Sequence, residues 1–197
     1  MMQSPLPAEQ LSVWLARGAQ GDEAACAALH AHFSPAVHRL TLGLLNDVAD
    51  AEEVTQDSFV YAFRNLGRYD PAKAAFSTWL FTIAISRCRN KRRRKWLEVF
   101  PLEWLTNEPA TAPRAVEDWL EWRGLRRQVW AALQRLPAPQ REAVALRFIA
   151  GLRYKEIGQT LNCNPKTAES RVRFGLHALR ETLRAEGLDA EWAEMLA

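Results

Sequence analysis

Three clusters of side chains in this chain have the types and spacing for chemistry. Asp50, Glu53 and Asp57 fall at i, i+3 and i+7, so on a helix their carboxylates share a face, as in sites that hold Mg²⁺ for hydrolysis. No histidine or lysine joins them in the sequence, and a solvated acidic face that docks a basic partner is the simpler reading. Cys26 and His30 share a second helix face, but His32 points elsewhere and no fourth ligand is near, so no metal is expected there. The third cluster is the stretch Phe76–Lys95, FSTWLFTIAISRCRNKRRRK. Its root is apolar and aromatic; its tip carries Arg87, Arg89, Lys91, Arg92, Arg93, Arg94 and Lys95 with no acid among them. Such a helix is built to meet a polyanion, or else is a core helix ending in a solvated basic run.

Composition narrows the options. A chain of 197 residues, 48% hydrophobic, is long enough for one large or two small cores. Cys26, Cys88 and Cys163 are far apart, odd in number and without CxxC spacing, which points to a reducing compartment. No apolar run approaches the ~20 residues of a membrane helix, and the N-terminus lacks a basic-then-apolar signal pattern. A cytoplasmic protein without membrane insertion is expected. Net charge is only +3, yet it is segregated. Residues 46–57 hold five acids and no base, residues 85–95 hold seven cations, and residues 96–125 hold six acids against Arg114 and Arg123. Separate surfaces for a basic partner and for nucleic acid follow from that division. The sequence has no phosphate-cradling glycine loop, no HExxH and no convincing triad, so no enzyme, cofactor or small-molecule substrate is expected.

The elements that must position these clusters read as helices throughout. Leu11 and Leu15 begin a helical period that resumes past Gly18 and Gly21 with Ala25, Leu29 and Phe33; Gly21-Asp22 reads as a stop followed by an N-cap. Another helix is expected over Val37–Leu45, broken near Asn46-Asp47. The next starts at about Asp50, buries a stripe of Val54, Ser58, Tyr61 and Ala62, and turns Asp50, Glu53 and Asp57 to solvent. Asn65–Ala75 is a loop marked by Gly67 and Asp70-Pro71. It sets Tyr69 beside Phe76 and Trp79, either to stack single-stranded bases or to plug the core beneath the loop. Residues 97–118, with Pro109 and Pro113, read as a linker, and Trp119–Leu136 as a helix.

The final stretch is the most specific. Helices over Gln140–Ile149 and Tyr154–Leu161 are followed by a turn at Asn162-Cys163-Asn164, with Asn164 as N-cap and Pro165 opening a longer helix. Ala168, Val172, Leu176, Leu179 and Leu183 face inward on that helix, and Lys166, Arg171 and Arg173 face out, with Arg171 expected to point into the groove. Short helix, tight turn and longer basic helix make a helix-turn-helix, whose second helix enters the major groove. The expected fold is all-α: two small helical domains, 9–96 and 119–185, joined by a flexible linker at 97–118, with an acidic tail at 186–197.

Two stretches together resemble the extracytoplasmic function (ECF) sigma factors of bacteria. DAEEVTQDSFVYAFRNLGRYDPAKAAFSTWLFTIAISRCRNKRRRK is similar to their region 2, and LPAPQREAVALRFIAGLRYKEIGQTLNCNPKTAESRVRFGLHALRE to their region 4, in the family's order. The resemblance implies core RNA polymerase and promoter DNA as partners, with an anti-sigma factor as a further candidate, and leaves the chemistry to the polymerase. It assigns Asp50, Glu53, Gln56 and Asp57 to docking on the polymerase clamp. Tyr69, Thr78, Trp79, Ser86, Arg87 and Asn90 match the part that recognises and opens the −10 element, with Phe76 and Arg93 beside them. Lys166, Thr167, Ser170, Arg171 and Arg173 match the helix that reads the −35 element. Ser86 and Asn90 stand where the family usually has Asn and Asp. Lys166-Thr167-Ala168-Glu169-Ser170-Arg171 stands where Gly-Thr-Val-Lys-Ser-Arg is usual, and Glu169 either accepts from a cytosine amino group or faces water. The competing reading is a stand-alone helix-turn-helix regulator that binds DNA as a dimer, which leaves Phe76–Lys95 unexplained.

Overall fold

A computed structural model describes residues 6–98 and 120–187. Among them are eight α-helices and no strand: α1 Ala8–Ala19, α2 Glu23–Leu45, α3 Val48–Arg64, α4 Phe76–Glu98, α5 Leu120–Arg135, α6 Ala138–Phe148, α7 Tyr154–Leu161 and α8 Pro165–Ala185. A 3₁₀ turn at Leu66–Arg68 lies in the loop between α3 and α4. Of the linker expected at 97–118, all but the end of α4 lies outside the described residues, as do residues 188–197 of the tail.

The caps follow from the sequence. Asp22 begins α2 by accepting from the Ala25 N–H at 3.1 Å, and Asp47 begins α3 by accepting from the Asp50 N–H at 2.9 Å. Asn46 ends α2 in the left-handed region at φ 52°. The helix expected at Val37 instead starts at Glu23 and runs unbroken through Pro35. An interior proline costs about 3 kcal/mol, but each fully buried Leu or Val contributes ~1.5–3 kcal/mol. Leu29, Val37 and Leu40 are all fully buried along α2, which outweighs the break.

The stripe on α3 is also rotated from expectation. Val54, Ser58 and Ala62 are buried as read, joined by Ala51, Thr55 and Phe59. At 100° per residue these centre near Ala51 and Ala62, which leaves Tyr61 on the flank, where it is exposed. Helix α4 fills the space between α2 and α3. Phe76, Leu80, Phe81, Ile83, Ala84, Ile85 and Cys88 are all buried, and a helix apolar on nearly every side must be covered on nearly every side.

In the second half, α7 and α8 form the helix-turn-helix. Asn164 accepts from the Thr167 N–H at 2.7 Å and Pro165 takes the first helical position. Asn162 sits in the left-handed region at φ 51°, and the Cys163 N–H donates to the Gly158 carbonyl at 2.9 Å. A Cβ on Gly158 would lie 2.6 Å from the Cys163 carbonyl oxygen, so this turn requires glycine. Ala143, Leu146, Ile157 and Leu161 of this half belong to the same buried apolar cluster as Leu44, Ile85 and Cys88 of the first.

Phe76 is 1% exposed and stands edge-on to Phe33 at 5.1 Å, whereas Trp79 is half-buried. Phe76→Ala should cost about 3–5 kcal/mol in chemical denaturation, and Trp79→Ala clearly less. Equal losses at the two positions would contradict this core.

Candidate nucleic-acid interface

Helical periodicity divides the seven cations of α4 among three directions. Lys91 and Lys95, at i and i+4, turn back to α3: both pair with Asp50, Lys91 also with Glu53, and Lys95 also with Asp47 at 3.5 Å. A hydrogen bond to Glu53 holds the Lys91 pKa above its ordinary value, and one to Asp50 does the same for Lys95. Arg89 and Arg92, at i and i+3, turn toward the second half of the chain. Arg89 donates to both oxygens of Glu142, and Arg92 to the Leu44 carbonyl and to Gln134. Arg93 and Arg94 are exposed and pair with no carboxylate among the described residues. Arg87 lies over the Tyr61 ring, 4.9 Å from its centroid.

The outward row is therefore Ser86, Arg87, Asn90, Arg93 and Arg94, and three of these five are cations. Sequence alone shows a uniform basic run; it does not show that four of the seven charges are tied to other parts of the protein. Tyr61 is one residue that sequence reasoning misplaced. Its distance of seven residues from Val54 looked like core spacing, yet it is a platform for Arg87.

The aromatic cluster at the root of α4 is tightly made. Tyr69 stands edge-on to Phe76 at 5.4 Å and tilted to Trp79 at 5.4 Å, and its hydroxyl donates to the Ala74 carbonyl at 3.0 Å. Burial, and then the Asp70 charge, push the Tyr69 hydroxyl above its usual pKa. Tyr69 and Trp79 keep part of their rings at the surface. Phe76 and Thr78 do not: each is 1% exposed, and the Thr78 hydroxyl finds no partner among the described residues. In this conformation the surface of the cluster consists of Tyr69 and Trp79, with Phe76 beneath them.

On α8, Lys166, Glu169 and Arg173 are exposed at i, i+3 and i+7, while Thr167, Ser170 and Arg171 are half-buried on its flank. The expected order of the two arginines is thus reversed, because Val172 and Ala168 draw Arg171 toward the core side. Arg173 stacks over the exposed Phe174 ring at 5.1 Å. Along α3, Gln56 and Asp57 are exposed, and Glu53 is exposed while paired with Lys91. Asp50 departs from expectation: it is 8% exposed, because two lysines of α4 close over it.

Comparison with known proteins matches residues 29–98 to the model of Sigma-70 region 2 and residues 126–179 to that of Sigma-70, region 4. The ECF RNA polymerase sigma factor SigK of Mycobacterium tuberculosis is 31% identical over 183 residues, spanning 91% of this chain and 96% of SigK. The chain belongs to the ECF sigma factors of RNA polymerase. Its fold is similar to that of CnrH, solved in complex with the cytosolic domain of CnrY, with a TM-score of 0.67, 24% identity and coverage of 89% of this chain and 98% of that one. It is also similar to the sigma factor RpoE of Bartonella quintana, solved with the anti-sigma factor NepR, with a TM-score of 0.62, 24% identity and coverage of 80% and 96%. Membership with both regions accounts for Phe76–Lys95, which a stand-alone helix-turn-helix regulator would leave without a role.

Thr78 separates a base contact from a core position. An unsatisfied buried hydroxyl costs about 1–3 kcal/mol, so Thr78→Val should raise stability by about 1 kcal/mol and leave DNA melting intact. Abolished melting at unchanged stability would show that Thr78 turns outward to DNA.

Proposed function

We propose that this chain directs core RNA polymerase to promoters by reading two elements with two surfaces and opening the duplex at one of them. The outward row on α4 carries the reading, since it joins cations for phosphate with Tyr69 and Trp79 for an unstacked base. Arg87, Arg93 and Arg94 hold the backbone, Ser86 and Asn90 face base edges, and the two rings stack on what is flipped out. Base–aromatic stacking at ~1–3 kcal/mol per base is enough to move a near-balanced melting equilibrium by tenfold or more. Lys166, Glu169, Arg173 and the neighbouring Thr167, Ser170 and Arg171 read the −35 element from the major groove.

Gln56, Asp57 and Glu53 form the polymerase-docking edge. Asp50 serves it indirectly, by holding α3 against α4. The chain brings recognition only; the polymerase makes the phosphodiester bonds. An anti-sigma factor is the further partner this reading admits, and its place of action is the cytoplasm.

The direct experiment adds the purified chain to core polymerase with genomic promoter fragments and maps run-off transcripts. Specific starts that require the chain support the reading, and none rejects it. Docking is tested at the exposed carboxylate edge, not at Asp50, whose reversal would set a lysine against Lys91 and Lys95. Gln56→Lys with Asp57→Lys should abolish capture by core polymerase while the thermal midpoint stays within about a degree, surface changes away from packing being worth ±0.5 kcal/mol. Undiminished capture would move the docking surface elsewhere.

A further inference from the structure

Helix α8 presents one carboxylate in a row that is otherwise cationic. Lys166, Glu169 and Arg173 form its exposed row, and Glu169 is the only acid between Pro165 and Arg180. Backbone phosphates repel it, so its place in a row that meets DNA needs a compensating role. Three structural roles are open to an acid near the start of a helix, and Glu169 fills none of them. The capping-box position is the third helical residue, here Thr167, whereas Glu169 is two residues further on. The macrodipole acts within the first turn, which holds no acid in α8. An ion pair would need Lys166 at i−3 or Arg173 at i+4. Arg173 is instead laid over the Phe174 ring, 5.1 Å from its centroid, and Glu169 pairs with no cation among the described residues. Glu156 of α7 is the contrast: it accepts from the Arg153 N–H at 2.7 Å and is committed to its own helix. The Glu169 carboxylate keeps both oxygens available as acceptors.

The major groove offers such an acceptor few partners. Guanine presents N7 and O6 and thymine presents O4, all of which repel a carboxylate. Adenine presents its N6 amino group beside the acceptor N7, whereas cytosine presents its N4 amino group with no acceptor beside it on the same base. Lys166 and Arg173 have the opposite preference, since both are donors suited to guanine O6 and N7. From i to i+7 the row covers roughly 10 Å at ~1.5 Å per residue, or about three base-pair steps at ~3.4 Å each. Two donors with one acceptor between them match a short alternation, with guanines toward its ends and a cytosine within.

We propose that Glu169 is a specificity-determining residue of this chain: its carboxylate accepts a hydrogen bond from a cytosine N4 amino group inside the −35 element, so that one C·G pair is required there. This deepens the −35 reading above and rests on it. Glu169 acts largely by exclusion, because at guanine or thymine the carboxylate meets an acceptor and stays beside the phosphates without compensation.

The test uses core polymerase loaded with the full chain and a pool of promoter fragments randomised over the −35 element, sequenced before and after capture. The parent should enrich cytosine over the other bases at one position by about tenfold. Glu169→Gln keeps the size of the side chain and adds an amide donor. Glutamine pairs with adenine N6 and N7, so enrichment at that same position should move from cytosine to adenine. Glu169→Ala should lose the preference for cytosine there, and both variants should keep the parent's preferences at the other positions. Both substitutions are exposed, and thermal melting should show the fold retained. A base profile unchanged in both variants, or cytosine still selected by Glu169→Ala, would overturn the proposal and leave the −35 reading in place. A parent that enriches no base anywhere in the element would reject the −35 reading itself, and the role of Glu169 would fall with it.

Discussion

The structure depends on how one helix disposes of its own charge. Seven cations between Arg87 and Lys95 repel one another along a segment of α4 that continues directly from a fully buried apolar root. They are tolerable because the helical repeat sends them three ways. Asp50 is central to this: nearly buried between Lys91 and Lys95, it fixes α3 against α4 and removes two charges from the exposed row. Arg89 is satisfied by the second half of the chain, and Arg92 by Gln134 of that half together with the Leu44 carbonyl of α2. What remains outward is a narrow cationic row with polar Ser86 and Asn90 in it, a geometry suited to one backbone and a few bases rather than to nonspecific coating of DNA.

These ion pairs hold across the ordinary pH range. Lys91 and Lys95 have raised pKa values, so their contribution is complete below the unfolded lysine value of ~10.4 and is lost only as pH climbs through the higher folded one. Asp47 has the opposite sign. The Asp50 N–H at its carboxylate lowers its pKa, so its contribution is complete above the unfolded value of ~3.9 and fades as pH falls below it. Cys88, beneath this network, has its thiol pushed up to about 12 by burial and then by the Glu142 charge, which fits a packing role rather than a reactive one.

Local features were legible in the sequence to the extent that local physics decides them. Asp22, Asp47 and Asn164 were identifiable as caps, or as positions beside a break, because each acts on an N–H three residues on. The helix-turn-helix was readable because its turn, its N-cap and its apolar spacing lie within one short segment. The helix start expected at Val37 failed for the opposite reason: burial of Leu29, Val37 and Leu40 carries α2 through Pro35 despite its local penalty. The solvent-facing Asp50 and the buried Tyr61 failed together, since the rotation of α3 is set by where α4 lies. Arg89 with Glu142 spans 53 residues, and no period or composition could pair them. Thr78 was placed among DNA contacts by resemblance alone, and its burial belongs to a packing arrangement that motif matching does not contain.

The division of charge along α4 is tested most directly by the salt dependence of promoter binding by the polymerase carrying this chain. Removing one phosphate-binding cation lowers the slope of log K against log salt by about one. Arg93→Gln should lower it by that amount with thermal stability unchanged. Lys91→Gln, which leaves Asp50 and Glu53 short of a partner, should lower stability and leave the slope as it was. If Lys91→Gln lowers the slope as much as Arg93→Gln does, the inward lysine meets DNA and the partition of α4 described above is wrong.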